Sequence, residues 1–186
     1  QINGYRNSFT AIPAETPYRP PRNTPWPRIH GTMNARIHAE GGGQYAEVDS
    51  QGRYTVHVPF DHDGFGGKAT APVRMAQPYA GADHGFHFPL HKNAEVVLTF
   101  IDGDPDRPVI AAAAPNPDIP SPVKDQNSTQ AVVRTAGQNE LVFEDKKGSE
   151  YVHLRSPKHE TVMEMGKGAQ YEGVSLMTDK DTHVIT

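Results

Sequence analysis

Residues 95–110, EVVLTFIDGDPDRPVI, leave few folds open to this chain. Val96, Leu98 and Phe100 alternate with Glu95, Val97, Thr99 and Ile101, the period of a strand with one strongly apolar face. Gly103 then offers a backbone position free to take positive φ, while Pro105 and Pro108 fix φ and remove donors. The chain must therefore leave the ladder, turn sharply and begin another strand within a few residues. Asp102, Asp104, Asp106 and Arg107 crowd that turn. Such a cluster is either a carboxylate site or a rigid corner whose acids accept local N–H bonds and pair with the arginine. Acidic turn residues usually bond their own backbone, so Asp102, Gly103, Asp104, Pro105, Asp106 and Arg107 are read as a structural turn.

Composition points the same way. Seventeen Gly and 17 Pro cut the 186 residues into short pieces, and only 35% are hydrophobic, little for one compact core of this length. No window carries a sustained i, i+3, i+4 apolar pattern, so short strands and loops are expected in place of helices. Lys and Arg total 18 against 22 Asp and Glu, a net charge of −4, which argues against a protein built to grip phosphates. Without Cys, disulfide and thiol chemistry are excluded. No apolar run is long enough for a membrane-spanning helix, and no leader pattern opens the chain. The first residue is Gln1 rather than Met, so the chain is expected to be cut from a longer protein.

Four regions follow. Residues 1–27, with Pro13, Pro17, Pro20, Pro21, Pro25 and Pro27, are expected to form an extended linker whose scattered aromatics dock on a neighbouring domain. Residues 28–115 hold five strand candidates: 28–39, 53–60, a weaker one at 72–79, 94–101 and 107–114. Met33, Ala35, Ile37 and Ala39 share a face of the first, and Tyr54, Val56, Val58 and Phe60 share a face of the second. The Ala-rich fifth is expected in a narrow, tightly packed place. Five strands without a helix suggest a small closed barrel, most simply an OB-fold. Residues 116–131 form a second Pro-rich linker. Beyond it, runs at 140–143, 151–155, 161–165, 174–177 and 183–185 recur at near-constant spacing, as in a stacked β-array. Each run carries about two large apolar residues on a face: Leu141 with Phe143, Val152 with Leu154, Met163 with Met165, Val174 with Leu176. That is too little to bury alone. Either the runs form an antiparallel meander packed on the barrel, or several chains share these eight residues around one apolar axis, as a prism.

Catalytic and metal patterns are thin. His84, His87 and His91 have a spacing that would gather ligands on a helix, but Gly85, Phe86 and Pro89 oppose one. If several copies share an axis, His183 near it would be presented once by each copy. Asp61, Asp63 and Gly64 match only a fragment of a calcium loop. Ser8, Ser50, Ser121 and Ser128 lack a nucleophile-elbow context, and Glu140, Glu144 and Glu150 are expected on a solvated strand face rather than as a glycosidase pair. No catalytic residue, cofactor or metal is expected. The alternative to a structural role is an OB-fold module binding nucleic acid or oligosaccharide, with an appended meander.

The segments NSFTAIPAETPYRPPRNTPWPRIHG, VDSQGRYTVHVPFD, RMAQPYAG, EVVLTFIDGDPDRPVI and NELVFEDKKGSEYVHLRSPK together span most of the chain. They resemble the VgrG (valine-glycine repeat protein G) family, the spike proteins of type VI secretion systems, which are similar to the central spike of contractile phage tails. The chain departs from the commoner pattern at Phe60, where many members carry Trp, and in a His-rich segment with Asn93 and Ala94 where a Gly is common. The resemblance implies an OB-fold barrel followed by the start of a trimeric β-helix needle, over residues 132–186, without a lysozyme-like insertion or toxin extension. It further implies a homotrimer, a tail-tube protein behind it, a PAAR-repeat protein at the tip, carried effectors, and transient contact with a target-cell membrane. It implies assembly in a bacterial cytoplasm and export through the type VI apparatus.

Overall fold

The computed structural model describes residues 4–61, 69–167 and 172–179. They are all-β: eleven strands and three short 3-10 turns, with no α-helix among them. The chain divides into two compact units, Gln1–Ala112 and Ala113–Thr186.

The first unit opens with an extended, exposed arm and continues into a small barrel. Its strands are β1 (Thr32–Ile37), β2 (Val56–His57), β3 (Ala80–Gly81), β4 (His84–Gly85), β5 (Glu95–Phe100) and β6 (Pro108–Ala113). β2, β1, β5 and β6 form one sheet in that order, and β3 pairs with β4 as a separate hairpin. Single bridges carry the ladder round. Tyr54 pairs with Val73, exchanging N–H···O bonds of 2.9 and 2.6 Å, and Met75 pairs in parallel with Ile110. Segment 73–75 thus joins β2 to β6, so the ladder closes as a five-stranded barrel does. Period-2 alternation sends Ala35, Ile37, Tyr54, Val56, Val73, Val96, Leu98 and Ile110 into one core. Tyr54 is fully buried, and its hydroxyl accepts the Leu90 N–H at 3.1 Å, satisfying the one polar atom it carries inside.

Several expectations are corrected here. The second strand is shorter than 53–60 because the chain turns after Val58, whose carbonyl accepts the Asp61 N–H at 3.1 Å. Phe60 therefore leaves the apolar face and is 61% exposed. The third candidate survives only as the bridges at Val73 and Met75. In the fifth, Ile110 is buried but Ala111, Ala112 and Ala113 are exposed, contrary to the expected tight packing. The β3–β4 hairpin was not anticipated.

The second unit holds β7 (Gln130–Arg134), β8 (Glu140–Glu144), β9 (Tyr151–Ser156), β10 (Thr161–Lys167) and β11 (Glu172–Met177), each antiparallel to the next. The four predicted runs between 140 and 177 are all strands. β7 is an additional one that begins within the expected linker. The run at 183–185 lies outside the described residues. Ahead of β7, the Asn127 side chain accepts the Lys124 N–H at 2.7 Å and donates to Gln130 at 3.0 Å, fixing the approach to the sheet.

Candidate assembly interface

Register decides what the second unit presents. Val133, Leu141, Leu154, Met163 and Leu176 stand opposite one another across the five strands. Ala131, Phe143, Val152, Met165 and Val174 form a second row. Directly opposed residues share a sheet face, so one face carries two unbroken apolar rows. All eight residues expected around an apolar axis lie in them, and Ala131 and Val133 extend the rows onto β7.

This face is open. Leu154 is 52% and Val174 73% exposed, and Val133, Phe143, Met163, Met165 and Leu176 are also exposed. The reverse face is polar yet better covered. There Val132, Val142, His153, Glu164 and Ser175 form a row in which Val142 is 6% exposed. His153 Nδ1 lies 2.9 Å from Glu164 Oε1, and Arg134 Nε donates to Glu140 at 2.6 Å. The Tyr151 hydroxyl accepts from Gln130 at 3.2 Å; burial, with the charges of Glu144 and Glu164, pushes its pKa up. The single sheet is inside-out for a soluble domain, because its apolar face is the less protected.

The remaining candidates sit in local structure. Glu140 is paired with Arg134. Glu144, expected on a freely solvated face, anchors its turn. The Thr129 hydroxyl first, then the Lys146 N–H and the Gln130 amide, hold its carboxyl below the usual range. Glu150 accepts the Gly148 N–H at 2.9 Å. Ser121 accepts the Val123 N–H at 3.2 Å. His84 bonds the Ala82 carbonyl, His87 contacts Gln77, and His91 meets Tyr45 edge-on, so the three histidines have separate partners. Among the described residues no three His, Asp or Glu side chains come together to hold a metal ion. Asp61 is exposed; Asp63, Gly64 and His183 lie outside the described residues.

The acidic corner is held by its own backbone. The Asp104 N–H donates to Ile101, the Arg107 N–H to Asp104 and the Ile101 N–H to Arg107. Asp104 Oδ1 accepts the Asp106 N–H at 3.0 Å, and Asp102 lies 3.3 Å from the Arg107 guanidinium. The corner also grips the arm, which the sequence did not reveal. Arg28 donates to the Asp102 carbonyl, and the Ile29 N–H donates to the Gly103 carbonyl at 2.8 Å. The positive φ of Asp102 (56°) and Gly103 (71°) turns these two carbonyls toward the arm.

Residues 45–114 match the family described as the type VI secretion system/phage-baseplate injector OB domain. The chain is also similar to curated spike proteins. It is 32% identical over 163 residues to the type VI secretion system spike protein VgrG4b of Pseudomonas aeruginosa, covering 83% of this chain and 20% of that protein. It is 33% identical over 161 residues to the spike protein VgrG3 of Vibrio cholerae, covering 83% and 16%. The actin cross-linking toxin VgrG1 of Vibrio cholerae is 32% identical over 161 residues, covering 83% and 14%. The chain thus spans about a fifth or less of the length of these relatives.

Proposed function

We propose that this chain, a segment of the VgrG family of type VI secretion spike proteins, is the barrel and first needle section of a homotrimeric spike. One observation carries the reading: ten apolar residues in two register-matched rows lie on the open face of the second unit. Three such faces turned toward a common axis bury one another's rows. The polar reverse face, with its ion pairs, is then the outside of a three-walled prism. Each wall is a meander within one chain, so the trimer closes by side-chain burial between walls. Burial of apolar area is the dominant favourable term in such association.

The role is mechanical. A rod whose apolar surface is internal and whose walls are continuously hydrogen-bonded transmits axial force without exposing sticky surface. Glu140, Glu144 and Glu150 are engaged in local structure, and the histidines are dispersed, which supports a non-catalytic segment. Arg53 and Arg107 are paired with Asp49 and Asp102, which disfavours a phosphate-gripping groove on the barrel. The partners that fit are two further copies of the chain, a tail-tube protein behind, a PAAR-repeat tip protein ahead, carried effectors, and briefly a target membrane. Export through the type VI apparatus follows from the same reading.

A chain ending at Ala114 tests the assignment of assembly to the second unit. It is expected to remain a folded barrel and to sediment as a monomer where the full chain is a trimer. A truncated barrel that still trimerises would overturn the assignment. Peptidoglycan hydrolysis by the full chain, abolished by a single carboxylate substitution, would overturn the non-catalytic reading.

A further inference from the structure

The five methionines fall into three environments. Met33 and Met75 pack against the barrel core. Met163 and Met165 stand on β10, next to the edge strand β11, in the two apolar rows, opposite Leu154 and Val152 on one side and Leu176 and Val174 on the other. Met177 stands on the reverse face, opposite Val162. Met163 is 37%, Met165 39% and Met177 40% exposed in the single chain. Three methionine residues are thus similarly open to solvent, and only two occupy the face that assembly would cover.

We propose that Met163 and Met165 are oxidation sites that act as a checkpoint on assembly. The inference rests on the trimeric reading above. In the unassembled chain each thioether sulfur attacks a peroxide oxygen. An S–O bond forms, the O–O bond breaks and sulfur loses two electrons; the second peroxide oxygen departs as hydroxide and takes the proton of the first, giving methionine sulfoxide and water. The product is polar and stiffer than the thioether. In the two apolar rows it would place up to six sulfoxide dipoles around one apolar axis, with no side-chain donor in either row to bond them. A buried acceptor without a partner opposes closure of the walls. Once three walls have met, the same sulfurs are shielded, while Met177 stays on the outside. Oxidised chains are therefore kept out of the spike, and assembled spikes resist later damage at these positions. Because sulfoxide formation is reversible by methionine sulfoxide reductases, a rejected chain can be returned to the assembling pool.

The test is limited hydrogen peroxide treatment followed by peptide mass spectrometry and sedimentation. The 186-residue chain is compared as the trimer, as the same chain diluted to monomer, and as Phe143→Asp. Met163 and Met165 are expected to oxidise about tenfold more slowly in the trimer than in the monomer, with Met177 changed less than about twofold. Chain oxidised as monomer should fail to trimerise, and reductase treatment should restore it. The volume-conserving double variant Met163→Leu, Met165→Leu should trimerise before and after peroxide. A trimer in which Met163 and Met165 oxidise as fast as Met177, or sulfoxide chains that still trimerise, would overturn the checkpoint alone. An untreated chain that is monomeric throughout would overturn the assembly reading and the checkpoint with it.

Discussion

Gly103 shows how much one residue decides. Its φ of 71° is open to Gly and costly for other residues, and a Cβ there would lie 3.2 Å from the Ile29 carbonyl oxygen and 3.6 Å from the Arg28 Cβ. The position serves both the turn into β6 and the grip on the arm. Gly52 has nearly the same φ, 72°, with no atom near its missing Cβ, and so supplies a matched comparison. Gly52→Ala is expected to cost about 1 kcal/mol from φ alone. Gly103→Ala is expected to cost roughly 2 kcal/mol, because the arm must also shift. Thermal melting of both variants checks this, and equal losses would show that the corner does not hold the arm. Gly103 was legible in sequence as a turn residue; its contact with Ile29 was not, because the partner lies 74 positions away. Phe60 failed for a different reason. Alternation predicts a face only while the chain stays extended, and the turn after Val58 ends it.

At the scale of the strand, β8 carries the contrast on which the interface depends. Phe143 and Glu144 are neighbours on opposite faces. In the proposed trimer, Phe143→Asp would place a charge at each of three walls in an apolar layer, desolvated, unpaired and repelled by its copies. The expected cost, on the order of several kcal/mol per chain, would prevent assembly of that layer. Glu144→Ala removes the acceptor for Thr129, Lys146 and Gln130, so it lowers the melting temperature of every chain regardless of concentration while leaving the trimer intact. Melting and sedimentation across chain concentrations separate the two signatures; a stable Phe143→Asp trimer would show that Phe143 faces outward. Strands β8 to β11 were legible because each repeats apolar residues at i and i+2 between turn residues. β7 was missed because Gln130, Ala131 and Arg134 dilute its alternation. Segment 73–75 lies within the weak candidate at 72–79 but joins the barrel only through single long-range bridges, which no local pattern specifies; the β3–β4 hairpin has no apolar face at all and leaves no pattern to find.

For the whole molecule, two units answer the same burial problem differently. The barrel closes on itself and buries its core within one chain. The meander of the second unit cannot, since a single sheet has nothing to lay over its apolar rows. That inability was visible in the sequence as paired apolar residues too few for a core, and register turned it into a definite surface. The most direct test is the mass of the full chain by light scattering at tens of micromolar. Three times the 20.4 kDa chain mass is expected, falling to one chain mass for Phe143→Asp. A 186-residue chain that remains at 20.4 kDa over that range would overturn the trimeric reading.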